Sequence, residues 1–230
     1  MNYNDFRKLQ TISSEDICRN IFNENSRSIK IKKEERAVKN LLTIYNATLK
    51  LSSKKGFAAM SLRDLCRETG LSMGALYSYF STKEDLLNII REQSQRFIST
   101  VMLEMIEQAE TIQKKLRTAI QSHLYLSEIM PEWFIFFFME TRTMKKEEQK
   151  KAIASELFTE KIFMDIFEEG NRQKVFSVEN PMLMASVIKP MLQDWYLKRW
   201  KYSRRKVSVD EYAGFIIHFV ETFIMPAQER

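Results

Sequence analysis

Apolar positions recur at three- and four-residue spacing through most of the chain. Between residues 34 and 55, Val38, Leu41, Leu42, Tyr45 and Leu49 form one stripe, which predicts an amphipathic helix. Lys54-Lys55-Gly56 closes it, placing cations at the helix C-terminus and a glycine where the chain must leave. Three shorter signals follow. Ser61, with Asp64 three residues on, starts a helix that Gly70 ends. Ser72 starts another, predicted over residues 73–80. Thr82 with Asp85 opens a longer one of about twenty-five residues. The second and third helices stand so close that they can meet only at a steep angle, as in a helix-turn-helix. Further on, Met- and Phe-rich helices are predicted over residues 112–129, 132–144, 146–172, 182–202 and 209–224. Pro131, Gly170-Asn171, Pro181 and residues 204–208 mark the breaks.

This pattern defines an all-α chain with a helix-turn-helix head over residues 34–81 and a larger helical body over residues 82–230. Residues 1–33 read as an N-terminal extension with one short helix from Ser14 to Phe22, either a passive tail or an arm touching DNA. Composition agrees with helices: 5 Gly and 4 Pro in 230 residues leave few breaks, and 44% apolar with 29% charged residues suits a globular protein. Charge separates the two parts. Residues 1–90 hold 15 Lys and Arg against 10 Asp and Glu, while residues 91–230 hold 21 against 20. A basic head on a neutral body suits a polyanion partner. Cys18 and Cys66 suggest neither a disulfide framework nor a metal site, and Cys66 fits a small buried hydrophobe. The polar start and the short apolar run at 129–139 predict a cytoplasmic protein with no membrane contact. With two His, no phosphate loop and no nucleophile elbow, an enzyme is the disfavoured reading, and no cofactor is expected.

A helix-turn-helix needs an apolar interior and a thin recognition face. Leu62, Leu65, Cys66, Leu71, Leu76 and Phe80 supply the interior. Ser72, Met73, Gly74, Ala75 and Tyr77 supply the face, with Ser61 beside it. Arg63 can reach a guanine edge or a phosphate, and Tyr77, Thr82 and Lys83 suit phosphate oxygens. A tight helical hairpin inside a core would show much of the same pattern.

The segments Gly56-Phe57, Ser61-Leu62-Arg63-Asp64-Leu65, Gly70-Leu71-Ser72, Leu76-Tyr77-Ser78-Tyr79-Phe80 and Lys83-Glu84-Asp85-Leu86-Leu87 together resemble the DNA-binding domain of TetR-family regulators. That resemblance covers roughly fifty residues, and Tyr79 stands where the family often has His. It implies an all-α homodimer bound to a near-palindromic operator, with Tyr79 joining the DNA-binding set. It also implies a body that binds a small effector and then releases DNA. Beyond about Ile90 the resemblance is weak.

In the body, Trp133 to Met139 is apolar around the whole helix, which predicts burial on all sides or a cavity lining. Met105, Leu124, Phe134, Phe137, Phe138 and Phe163 are the expected walls of a hydrophobic effector pocket, with His123 as a polar anchor; a plain core fits them too. Met184, Ile188, Met191 and Trp195, with Val209, Tyr212, Ile216, Phe219 and Phe223, have the spacing of an association seam, so these two helices are the expected dimer surface. The aromatic-basic run from Trp195 to Lys206 offers a site for an anionic head group, or simply a solvated helix end. The rival function keeps DNA binding without an effector: an architectural DNA-binding protein of the same fold.

Overall fold

A computed structural model describes residues 1–9, 13–25, 29–141 and 146–225. Among them are twelve helices and no strand: α1 (Tyr3–Leu9), α2 (Ser14–Glu24), α3 (Glu34–Lys55), α4 (Leu62–Thr69), α5 (Met73–Leu76), α6 (Lys83–Glu107), α7 (Ile112–Ile129), α8 (Pro131–Glu140), α9 (Lys146–Arg172), α10 (Pro181–Leu197), α11 (Arg199–Arg204) and α12 (Val209–Ile224). The predicted helices at 34–55, 112–129, 146–172 and 209–224 have the observed bounds. The remainder of the helix expected over 132–144 falls partly on residues 142–145, outside the described residues.

Two expected helices are shorter than predicted, each for a visible reason. The helix predicted over 73–80 stops at Leu76, because Ser78 and Tyr79 donate their amides three residues back, to Ala75 and Leu76, tightening the chain into turns. The helix predicted over 182–202 breaks at Lys198, which takes φ −120° and ψ 35°. There Asp194 gathers the side chains of Lys198, Lys201 and Tyr202, tying α11 back onto the end of α10.

The chain forms two compact units. One, the head unit, comprises residues 10–97 and 132–150; the other, the body unit, comprises residues 1–9, 98–131 and 151–230. The head core is built by Ile17 and Ile21 of α2, Leu41, Ile44 and Tyr45 of α3, Leu65 of α4 and Leu76 of α5, all buried. Burying one such aliphatic side chain is worth about 1.5–3 kcal/mol. Tyr45 lies 2% exposed and bonds Ser94 of α6 through its hydroxyl at 3.0 Å, so its one polar atom is satisfied.

Helix α8 belongs to the head unit. Its Phe136 meets Phe57 edge-on at 6.1 Å, and Trp133 stacks on Phe137 at 5.2 Å. Trp133, Phe134 and Phe136 are buried, but Phe138 is 42% and Met139 60% exposed. The expectation of burial on every side is therefore corrected: α8 packs through one face despite its uniform composition.

In the body unit, α7 packs on α10 and α12. Trp195 is fully buried, stacks on Tyr212 at 5.1 Å and donates its indole N–H to Glu128 at 3.0 Å. Gly170 is required by packing: a Cβ there would lie 1.9 Å from the Phe176 ring. The described residues before α3 are more than a tail. Phe6 of α1 is fully buried in the body unit, where the Tyr3 amide donates to Asp210 at 2.9 Å, while α2 packs on α3 in the head unit.

Candidate nucleic-acid interface

The local grammar of the helix-turn-helix is satisfied atom by atom. Ser61 accepts from the Asp64 amide at 3.2 Å, and the Asp64 carboxylate accepts from the Ser61 amide at 2.9 Å, completing a capping box. Lys55 and Ser61, both hydrogen-bonded to that carboxylate, hold it well below the usual carboxylate range. Gly70 turns the chain with φ 71° and ψ 6°, the left-handed conformation that a side chain disfavours. Ser72 then caps α5 by accepting from the Ala75 amide at 3.2 Å.

The result is a thin, mostly polar face. Ser61, Arg63, Ser72 and Gly74 are exposed, Met73 and Ala75 are half-buried, and Tyr77 is 44% exposed. Leu65 and Leu76 lie fully buried beneath. Arg63 makes no ion pair among the described residues; its neighbour Arg67 is held by Asp64.

Two expected contact residues are placed differently. The Tyr79 ring is 3% exposed and its hydroxyl accepts from Asn40 of α3 at 2.9 Å, so it fastens the recognition segment to α3. Burial also raises its phenol above the ordinary value. The Lys83 ammonium donates to the carbonyls of Phe57, Ala58 and Met60 at 2.9–3.0 Å and lies 4.9 Å from the Phe57 ring centre. All three of its protons are thereby engaged, which leaves none for a phosphate. Thr82 and Asp85 cap the start of α6 reciprocally at 2.9 and 3.0 Å.

Sequence reasoning missed three further residues. Asn40 holds Tyr79. Glu140, 6% exposed at the end of α8, accepts from the Phe57 amide at 2.8 Å. Lys30 donates its backbone amide to the Ser78 carbonyl at 3.0 Å. Only Glu140 left a trace in the sequence, as a lone acid closing an apolar run.

The expected pocket residues fall in both units. Phe134, Phe137 and Phe138 lie in the head unit; Met105, His123, Leu124 and Phe163 lie in the body unit. Leu124 and Phe163 are fully buried and Met105 half-buried. His123 is 3% exposed, and burial, reinforced by the nearby Lys189 charge, holds its imidazole neutral with a pKa well below the ordinary value.

The expected seam requires correction. Ile188 and Trp195 are fully buried, Tyr212 and Ile216 nearly so, and Met184 and Met191 half-buried, so this stripe faces the core of its own subunit. Only Phe219 and Phe223 of the expected set are largely exposed. The outward stripe is offset: Leu183 and Val187 on α10, and Phe215, Phe219 and Phe223 on α12, are 47–64% exposed. The aromatic-basic run is largely engaged within the subunit, Arg199 by Glu128 at 2.9 Å and Lys198 and Lys201 by Asp194.

A capped helix-turn-helix, with helices elsewhere among the described residues, defines the class: an all-α helix-turn-helix protein. The profile of bacterial regulatory proteins of the tetR family matches residues 44–90, and that of the tetracyclin repressor-like C-terminal domain matches residues 109–220. The chain belongs to the TetR family of regulators, which sets the enzyme reading aside. It is 43% identical over 44 residues to the HTH-type transcriptional regulator YerO of Bacillus subtilis (strain 168), covering 19% of this chain and 15% of that one. It is 28% identical over 86 residues to the fatty acid metabolism regulator protein of the same organism, covering 37% and 44%. Both matches span less than half of these curated relatives. A regulatory protein in the tetR family from Rhodococcus RHA1 shares the fold, with a TM-score of 0.72 at 19% identity over 80% of this chain and 96% of that one.

Proposed function

We propose that the protein is a dimeric DNA-binding transcriptional regulator, a repressor that a small hydrophobic effector releases from a near-palindromic operator. The observation that carries this is the capped α4–α5 pair with its small exposed face, on which backbone and short side chains can approach base edges. Ser61, Arg63, Ser72, Met73, Gly74, Ala75 and Tyr77 form the contact face, with Thr82 at the adjoining helix start. Tyr79 and Lys83 hold that face in shape from within.

The occupant of the outward stripe is a second copy of this chain. Leu183, Val187, Phe215, Phe219 and Phe223 form an apolar surface of the kind that soluble monomers rarely expose, and an isologous pairing would cover it on both subunits. Two heads would then address half-sites about one helical turn, roughly 34–36 Å, apart. The effector's apolar character is supported by the likeness to a fatty acid metabolism regulator protein. A fatty acyl compound or an aromatic acid is the chemical class to try. Release further requires the effector to favour a DNA-incompetent conformation, since equal affinity for both states shifts nothing.

The decisive experiment selects duplexes from a random-sequence pool with the purified protein. Enrichment of a near-palindrome, abolished in Arg63→Ala and Tyr77→Ala proteins that remain folded, is the expected result. No enrichment and no low-salt binding to any duplex would overturn the proposal. Thermal melting against fatty acyl-CoAs and aromatic acids tests the effector; the architectural alternative predicts no stabilisation by any of them.

A further inference from the structure

We infer that the segment from Ile29 through the first turns of α3 forms a second DNA-backbone strip, gripping phosphates beside the recognition segment through Lys30 and Arg36. The inference rests on the DNA-binding reading above and adds a surface outside the helix-turn-helix. Residues 29–40 carry five Lys or Arg against two Glu.

The position of this strip is fixed by packing. Ile29 is 1% exposed, and the Lys30 amide is bonded to the Ser78 carbonyl at 3.0 Å, which holds the segment against the turns that follow α5. Lys30 and the exposed Tyr77 line one surface cleft of about 360 Å³, with Asn25 and Ser81. On α3, Arg36 stands one turn before Asn40, which bonds the Tyr79 hydroxyl, and lies close enough for its charge to favour ionisation of that phenol. Both cations thus belong to chain segments that touch residues 77–79.

The neighbouring acids are already engaged. Glu34 accepts from Arg19 at 2.8 Å, Glu35 faces Lys33 at 3.9 Å, Asp85 accepts from the Thr82 amide, and Glu92 lies 3.5 Å from Arg91. The Lys30 ammonium and the Arg36 guanidinium have no carboxylate partner among the described residues, and both side chains are exposed. Two unneutralised cations beside the recognition segment suit a polyanion better than an isolated anion, because a polyanion can neutralise both at once.

The test titrates the 230-residue chain into mixed-sequence duplex DNA over a series of salt concentrations, so no operator need be known. Lys30→Gln/Arg36→Gln should lower the slope of log affinity against log salt by about two per subunit, near 0.9 for each phosphate that is no longer neutralised. Arg204→Gln/Arg205→Gln removes the same net charge from the body and should leave the slope unchanged. An unchanged slope in the first variant, or an equal fall in both, overturns the strip while leaving the helix-turn-helix reading intact. Failure of the unaltered protein to bind any duplex overturns that reading as well. Unchanged melting temperatures verify that both variants fold.

Discussion

The α4–α5 pair and the α10–α12 pair both stand in the sequence as short periodic patterns, yet only the first has one structural solution. In α4–α5 each signal is local. A serine oxygen reaches an amide three residues away, and a glycine takes φ 71°, so neighbours in sequence determine the outcome. In α10 and α12 the signal is a stripe, and these helices carry two. One stripe, with Ile188, Trp195, Tyr212 and Ile216, faces inward; the other, with Leu183, Val187, Phe215 and Phe219, faces solvent. Periodicity reports that a face is apolar without reporting what covers it. Caps therefore transfer directly from sequence to structure, whereas faces need a partner to be known.

That contrast is sharpest where mutation effects differ most. Trp195→Ala should cost about 3–5 kcal/mol, as expected for a buried aromatic. Phe215→Ala should stay within about 0.5 kcal/mol of the parent in the isolated subunit, like other surface changes. Denaturant unfolding decides between them. Light scattering adds the assembly readout: Phe215→Asp/Phe219→Asp should be a folded monomer at micromolar concentration. A dimer there would assign association to another surface.

The next effect concerns Lys83. Lys83→Met removes charge-assisted bonds to three carbonyls, each worth about 1.5–3 kcal/mol when the group is buried and less here because the site is only partly so. A loss of roughly 2 kcal/mol in head stability is expected. If the residue instead served phosphate alone, melting would be unchanged and only the salt dependence of DNA binding would move.

Smaller losses should follow from the local signals themselves. Gly70→Ala forces a Cβ into the left-handed region at about 1–2 kcal/mol, and Ser61→Ala or Ser72→Ala removes a cap worth about 1 kcal/mol. Equality of Gly70→Ala with the parent protein would contradict a left-handed turn at residue 70.

The smallest effect is a pH dependence in the body. The folded-state pKa of His123 is depressed, so the unfolded chain binds the extra proton. Its contribution to stability is complete above the unfolded value of about 6.5 and declines as pH falls through it, by under about 1 kcal/mol at pH 6. His123→Gln should flatten the melting profile between neutrality and pH 6. An unaltered profile would show that the imidazole is charged, or exposed, in the folded protein.

Most of the helices and the whole turn are legible in the sequence, because caps, glycines and amphipathic spacing act within a few residues. Lys83 suits phosphate by residue type, and Tyr79 joins the DNA-binding set through the family resemblance; their actual partners, the carbonyls of Phe57, Ala58 and Met60 and the side chain of Asn40, lie about 25 and about 40 positions away. Glu140 with Phe57, 83 residues apart, has the same character. Trp133 to Met139 reads as apolar throughout, and nothing within that run distinguishes the buried Phe136 from the exposed Met139.

The bond from the Tyr3 amide to Asp210 spans 207 positions, and Tyr125 donates to the same carboxylate oxygen at 2.6 Å. During synthesis at about 5–20 residues per second, Tyr3 must wait roughly 10–40 s for that acceptor. Until then Phe6, the one buried residue of α1, has no completed site and stays open to other nascent chains. A slower ribosome lengthens that interval without altering the finished protein, so the yield of folded chains should depend on translation speed.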